Sequence, residues 1–536
     1  MKIHCLGAVR TVTGSCFQLE NPRGGLTLID CGLFQGGRQT ELRNFNTELY
    51  RPGEVRAIVI THAHMDHSGL VPRLVKSGYR GPVYASGPTC ELLEILWRDA
   101  AHIQEQEAVW KSRKNKRQGQ RTVEPLYTEE DALLAGTLLH PLPPDEPFEL
   151  QPDLSVTLLA AGHILGAVSV LAEARTGGRT ERVLFSGDLG RRGQLLIPDP
   201  AVPPASGRMF METTYGSRLL KDLDQSAEEL ARVINQAVRL GGKVLIPAFA
   251  VERTQEILFL LSTMWHTGTI AKNIPIILDS PLAVEASRVY VRNQHLLDSE
   301  TRSLIGRGLS PLTMSDFKIT STMEESQKIN DITGPAVIVA GSGMGNAGRI
   351  LHHFKHNLWR ESCQVIFVGF QAQGTTGRRL VDGAQTVKIF REAVAVKAKI
   401  HTIGGFSGHA DQAELTEWLR PQIHPCLKVV LVHGEESGTL IFQEHLKKLF
   451  PDLETLVPRW RQVLEAGGPS EETRPETQPE AGPEPAKTYP ALAQSFQERL
   501  DRLSALMAER ETSLDPARLA GLESCLNQAE EIILEP

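Results

Sequence analysis

The sequence predicts an α/β protein made of two distinct α/β units, and three observations carry that prediction. Through the middle of the chain, short runs rich in Val and Ile alternate with helical patterns: "KVLIPAF" precedes "RTQEILFLLSTMW", "PAVIVA" precedes "GRILHHFKHNL", and "CQVIFVGF" follows. Parallel strands joined by helical crossovers produce that alternation. The first ~210 residues hold a denser set of strand-like segments, among them "RAIVI", "SVTLLAA", "AVSVLAEA" and "RVLFSGD", and so form a unit of their own. With 536 residues, 41% apolar and 23% charged, the chain also has the length and make-up for two or three ordinary cores.

The opening "MKIHCLGAVRTVTGSCF" lacks an apolar stretch followed by a small-residue cleavage site. No segment approaches the ~20 apolar residues of a membrane span, so the protein is expected to be cytoplasmic, with no membrane partner. Seven scattered cysteines, never spaced as CxxC, fit a reducing compartment and argue against a cysteine zinc site. Any metal must then be held by His and carboxylate. The formal charge of −7 is uneven: Glu465 to Pro536 contains 15 acidic and 6 basic residues, which leaves a slightly basic body. Residues 465–488, dominated by Pro, Glu, Gly and Thr, read as a disordered linker. Residues 489–536 place Leu and Ala at three- and four-residue spacings, with Asp515 and Pro516 as a helix start. Two amphipathic helices are expected there, a possible handle for a homo-oligomer.

In "RAIVITHAHMDHSGL" a buried-type strand runs into His62, His64, Asp66 and His67, with Ser68 placed to cap a following helix. On extended backbone, residues 62 and 64 share a side, and a turn over 65–67 swings Asp66 and His67 toward the same cavity. Imidazole and carboxylate suit a borderline cation such as Zn²⁺. Four such groups in six residues exceed what one open tetrahedral site takes from one loop, which suggests two adjacent metals. A lone histidine is more often structural than ligating; HxHxDH at a strand end is rarely a solvated loop.

The run His62-x-His64-x-Asp66-His67 resembles the metal-binding motif of the metallo-β-lactamase superfamily, whose fold is a four-layer αββα sandwich with the metals at strand ends. The resemblance implies further pieces in a set order, and the chain supplies Asp30 in "LTLIDCG", His163 in "AAGHILGA" and Asp188 in "LFSGDLG". It implies one site of His62, His64 and His163, a second served by Asp66 and His67, and Asp188 bridging the two with its paired oxygens. Asp30 would orient a ligand from behind. His433 in "VVLVHGEE", His409 in "IGGFSGHADQAEL" and Glu212 in "RMFMETTYG" resemble motifs of the β-CASP nucleases, in which an α/β domain is inserted into the lactamase-like one. His433 would complete the second site. The implied division is a lactamase part over 1–210, a β-CASP insertion over 211–393 and a returning lactamase part over 394–464. The RNA-directed branch, which includes bacterial β-CASP ribonucleases and the pre-mRNA 3′-end cleavage endonuclease, matches better, because the DNA-repair branch usually lacks a histidine at the position of His433.

The resemblance thus implies an endoribonuclease with two Zn²⁺ per chain, RNA as substrate, and 5′-phosphate and 3′-hydroxyl products from attack by a metal-bound hydroxide. Asp66, His409 and Glu212 are the expected catalytic residues, His409 protonating the leaving oxygen while Glu212 accepts from its other ring nitrogen. A 5′-to-3′ exoribonuclease, a DNA nuclease on the same site and a non-catalytic RNA-binding scaffold are the alternatives, the last opposed by the full ligand set. Gly343-x-Gly345-x-x-Gly348 satisfies a dinucleotide-loop pattern, yet the next strand, "VIFVGFQ", ends without an acid. A glycine turn is the better reading. Its Ser342, with Thr375 and Arg378 of "QAQGTTGRRL", are candidate contacts to substrate phosphate, and a plain tight turn is an equal reading. Ser407 either contacts phosphate or caps the helix after it. "VWKSRKNKRQGQR", with six basic residues in 13 and no acid, is the strongest candidate for sequence-independent phosphate contact, set against the common fate of a charge run as a solvated loop.

Overall fold

The computed structural model describes residues 1–466 apart from 22–24, 177, 311–313, 370 and 373. The helices expected over 489–536, the linker beyond Ala466 and Cys525 lie outside the described residues.

Two seven-stranded sheets form the sandwich. The first runs Val463–Glu465, Lys2–Cys5, Phe17–Glu20, Leu26–Ile29, Val55–Val59, Val83–Ser86, Leu139–Leu142; the second runs Glu454–Leu456, Lys428–Val432, Arg208–Glu212, Arg179–Phe185, Val168–Thr176, Leu154–Ala160, Phe148–Gln151. Each is antiparallel along one half and parallel along the other. The parallel strands Val55–Val59, Arg208–Glu212 and Lys428–Val432 are buried on both faces, which explains why they read as continuous apolar runs and not as alternation. Ile3, Phe17, Ile29 and Val59 of the first sheet meet Val170, Phe185, Phe210 and Val430 of the second in one buried cluster. There the Phe17 ring lies 5.4 Å from Phe185 and 5.0 Å from Phe210.

Helices close both outer faces. Leu74, Leu92, Trp97 and Ala132 cover the first sheet, and Leu415, Trp418, Phe442 and Leu446 pack with Met209, Met211, Val429 and Leu431 of the second. The result is a four-layer αββα sandwich.

The insertion carries its own sheet, wholly parallel, in the order Phe317–Ile319, Ile276–Asp279, Ala336–Ala340, Lys243–Pro247, Gln364–Phe367, Lys399–Thr402. Alternate residues of its strands feed two cores: Val244, Ile246, Leu278 and Val339 on one face, Leu245, Ile277, Ile338 and Phe367 on the other. By sheet membership, Arg208–Glu212 belongs to the sandwich, and the inserted sheet runs past residue 393 to Thr402. That last strand, "KIHT", is short and partly exposed, so no apolar run marks it in the sequence. Among the described residues no helix is long and apolar enough to cross a membrane.

Candidate metal centre

Strand carboxyl ends, where loops of an α/β sheet converge, supply most of the site. Asp30 follows Leu26–Ile29, His62 to His67 follow Val55–Val59, and His163 follows Leu154–Ala160. Asp188 follows Arg179–Phe185, Glu212 ends Arg208–Glu212, and His433 follows Lys428–Val432. His409 comes from the loop between Lys399–Thr402 and the helix Gln412–Leu419, whose Asp411 caps it through the amides of Ala413 and Glu414. Ser68 is no cap: it ends the short helix Met65–Ser68, and its hydroxyl donates back to the carbonyls of Ala63 and His64.

Two candidate ligand groups lie on either side of one carboxylate, Asp188. In the first, His62, His64, His163 and Asp188 bring one atom each within 4.8 Å of the others. His64 Nδ1 faces His62 Nε2 at 3.1 Å and His163 Nε2 at 3.2 Å, and Asp188 Oδ2 lies 3.6 and 3.7 Å from those two nitrogens. The second group is Asp66, His67 and His433. His67 Nε2 stands 3.0 Å from His433 Nε2, Asp66 Oδ2 lies 3.6 Å from His433 Nε2, and the other Asp188 oxygen, Oδ1, lies 3.3 Å from His67 Nε2 and from His433 Nδ1.

These atoms fit divalent cations. Three ring nitrogens converge on one point beside a carboxylate, and imidazole with carboxylate is a zinc-type donor set. Asp188 Oδ1 is buried and accepts no hydrogen bond, an orphan that a cation would satisfy.

Behind the ligands lies a supporting layer. Asp30 accepts from His67 Nδ1 at 2.6 Å, from the Thr61 amide at 2.8 Å, and from the hydroxyls of Thr61 and Ser15 at 3.0 and 3.1 Å. His163 Nδ1 donates to the Gly408 carbonyl at 2.7 Å, which leaves Nε2 for the cluster. Thr214 Oγ1 lies 3.1 Å from His433 Nδ1. Asp30 and His433 both sit in the left-handed region, at φ 61° and 47°. Each is pinned by its amide, Asp30 to the Val59 carbonyl and His433 to that of Ala8, the kind of local strain that a rigid scaffold sustains at functional sites. Thr61, Ser15, Thr214 and Gly408 were not legible as site residues; the position of Thr61 directly before the motif was the one available signal.

Protonation suits metal capture. Burial, with His67 adding to it, holds His62 well below the usual imidazole range. Burial likewise takes His64 down to about 4 and, with His409, holds His163 well below that range. Asp66 is held down at about 2, its burial overcome by the hydrogen bond and charge of His433 and by His67; Asp188 is lowered by His433 and His67 against the same burial. His67 runs the other way, carried above its ordinary value, despite burial, by Asp188 and Asp30. A cation binding there must displace that proton.

His409 stands at the rim, a fifth exposed, with Nδ1 3.2 Å from Glu212 Oε1 and 3.9 Å from Asp188 Oδ2. Burial opposes its protonation, but Glu212, then Asp188 and Asp66, raise it to about 9. Glu212 is fully buried and fixed by the amides of Leu189 and Thr214 at 2.6 and 3.1 Å.

The remaining candidate contacts each have a local partner. Ser342 Oγ accepts from the amides of Asn346 and Ala347, Thr375 caps the helix Thr376–Val381, Arg378 pairs with Asp382, and Ser407 accepts from the His409 amide. The two glycine-bearing stretches are joined: the Gly377 amide donates to the Met344 carbonyl, and the Thr376 amide to Asn346.

Comparison with known proteins adds three family matches: the metallo-beta-lactamase superfamily over residues 9–248, the Beta-Casp domain over 254–380, and the Zn-dependent metallo-hydrolase RNA specificity domain over 393–458. The chain is 39% identical over 440 residues to Ribonuclease TTHA0252 of Thermus thermophilus, spanning 82% of this chain and 94% of that protein. It is 32% identical over 469 residues to transcription termination factor FttA of Methanocaldococcus jannaschii, at 85% and 70% of the two chains. To FttA of Methanosarcina mazei it is 32% identical over 458 residues, at 82% and 67%.

Proposed function

The chain belongs to the metallo-β-lactamase superfamily, in its β-CASP branch of metal-dependent nuclease hydrolases, and from that premise we propose that it is a cytoplasmic zinc endoribonuclease that binds two Zn²⁺ and leaves 5′-phosphate and 3′-hydroxyl ends. One observation carries the reading: His409 stands beside the shared carboxylate Asp188 with one ring nitrogen engaged by a buried glutamate and the other turned to no protein partner among the described residues. That is how a proton donor to a leaving oxygen must be presented.

When bound, the cations would supply a water ionised near neutral pH and neutralise charge on the phosphate. His62, His64 and His163 would hold one ion, Asp66, His67 and His433 the other, and Asp188 both. His409 donates its Nε2 proton to the departing 3′ oxygen, and Glu212, fixed by two amides, keeps the ring oriented through Nδ1. Asp30 holds His67 by Nδ1, so that Nε2 faces the centre. RNA as substrate is supported by the family match over 393–458, which contains both His409 and His433, and by the ribonuclease among the relatives. Ser342, Thr375, Arg378 and Ser407 enter as secondary substrate contacts, each after giving up its local partner.

The test uses zinc-loaded protein with end-labelled RNA, circular RNA and matched DNA. RNA should be cut, circles included, and DNA spared. His409→Ala should slow cutting by about 10²–10⁴-fold and keep the metal content of the parent; Asp66→Ala should abolish cutting. Intact RNA with the parent protein, or equal cutting by Asp66→Ala, would sink the reading. Intact circles beside degraded linear RNA would make the enzyme an exonuclease.

A further inference from the structure

We propose that the outer end of the helix Gly87–Arg117 is an RNA anchor, which holds a single-stranded stretch of substrate by phosphate contacts and by stacking a base on Trp110. The inference rests on the reading of RNA as substrate and adds a second binding site to it.

The helix is 31 residues long, about 46 Å at the usual rise, and only its first half is deeply packed, through Cys90, Leu92, Leu93, Trp97 and Ala101. Beyond Ala101 the inward face continues as Gln104, Glu105, Ala108, Ser112 and Asn115, the least exposed positions of this half. On the opposite side, Trp110, Arg113, Lys114 and Arg117 fall at i, i+3, i+4 and i+7 and form one exposed stripe about 100° wide. Trp110 is 53% exposed, and Lys114 Nζ lies 5.9 Å from its ring centroid. Past the helix the chain doubles back, with Asn115 donating to the Arg121 carbonyl at 3.0 Å and Ser112 clasping Val123, so a further arginine joins the tip.

No acidic residue occurs from Ala108 to Val123. Among the described residues Lys111 pairs with Glu107, while Arg113, Lys114, Lys116 and Arg117 have no carboxylate within ion-pair distance. An ordinary solvated surface mixes both signs and seldom shows a tryptophan, whereas this stripe has one sign and an aromatic at its head. Basic side chains around an exposed aromatic are the arrangement that grips single-stranded nucleic acid, since every base offers a face to stack. A-form duplex keeps its bases stacked and its major groove too narrow for side chains, so it would leave Trp110 unused. An acidic polypeptide would also use the cations alone.

The test measures anisotropy of a fluorescein-labelled oligouridylate of about 30 nucleotides against the full chain, zinc-loaded and in a His409→Ala background, across a salt series. Changing Arg113, Lys114 and Arg117 together to Gln should weaken binding at least tenfold at low salt and lower the log–log salt slope by about 2, from three lost contacts at ~0.7 each. Trp110→Ala should weaken it about tenfold and Trp110→Phe restore most of that. In the parent background the same variants should hydrolyse bis(p-nitrophenyl) phosphate at the parent rate, a readout of the metal centre that stands apart from RNA binding. Unchanged affinity and slope in the triple variant would overturn the proposal. So would equal binding of duplex RNA of the same length, or loss of polyglutamate binding with RNA binding intact. If the parent protein leaves RNA uncut, the nuclease reading falls while the anisotropy result still decides the anchor.

Discussion

Two buried aspartates, Asp30 at the end of the strand Leu26–Ile29 and Asp279 at the end of Ile276–Asp279, are gripped by similar donors in the two units of the molecule. Asp30 takes a histidine, an amide and two hydroxyls; Asp279 takes His353 and Arg349 at 2.6 Å and the hydroxyls of Thr320 and Ser326 at 2.5 and 2.7 Å. They differ in what lies beyond the imidazole. The far nitrogen of His67 faces His433 and Asp188, whereas that of His353 is buried with no hydrogen-bond partner. Arg349, the fourth donor on Asp279, also grips the carbonyls of Thr320 and Ser321, so this carboxylate pins the glycine turn Gly341–Gly348 to the strand ends. A carboxylate–histidine pair marks a metal centre when further ligands stand on the other side of the ring, and marks a structural pin when none do.

The contrast is sharpest in stability. Asp279→Ala strands the buried His353 and deprives the partly buried Arg349 of its carboxylate, and should lower unfolding free energy by about 3 kcal/mol in urea titrations while metal content per folded chain stays at the parent value; loss of metal would erase the distinction. Asp30→Asn keeps the shape but removes the charge behind His67, and should weaken metal affinity by about 10–100-fold in chelator competition, with a smaller loss of stability in the metal-free protein. Equal stability losses would make both residues mere pins.

A third buried carboxylate shows what happens when cationic donors are too few. Glu252 receives the Tyr290 hydroxyl at 2.5 Å, but burial and the neighbouring Glu256 outweigh that bond and Arg253, and push it up to about 8. The folded protein therefore binds a proton that the unfolded chain releases near the ordinary value of 4.5. From this group, stability should fall as pH rises from that value through about 8 and then level off. Melting temperatures from pH 5 to 9 should show the slope, and Glu252→Gln should flatten it. The smallest effect expected is from Thr61→Val, which removes one hydroxyl bond to Asp30 and should lower stability by about 1 kcal/mol, read in the same urea titrations.

How much of this was legible follows from where the information sits. His62, His64, Asp66 and His67 are local, and a strand end packed with ligands has few other uses. Glu212 and His433 are brought together by pairing of Arg208–Glu212 with Lys428–Val432, segments more than two hundred residues apart, and His409 arrives on the separate loop before Gln412–Leu419, so all three were found by resemblance and not by spacing. Thr61, Thr214 and the Gly408 carbonyl act through groups that common residues or any residue supply, and composition cannot single them out. Ser68 misled because a serine before an apolar run reads as a cap, while the chain turns first through Met65–Ser68. The strand Lys399–Thr402 had no apolar run to announce it, and Asp279 sits in "LDSPL", where the sequence shows only a strand end.

The order of the ligands along the chain has a consequence for its synthesis. His62, His64, His163 and Asp188 all emerge from the ribosome early, whereas His433 arrives more than two hundred residues after Asp188 and is carried on a strand that must slot between Arg208–Glu212 and Glu454–Leu456. The residues of one candidate ligand group are thus all made long before those of the second group, His409, or the last strands of the sheet. If RNA is the substrate, as proposed above, a chain still being made lacks the groups needed to cut it until the strand that carries His433 has emerged.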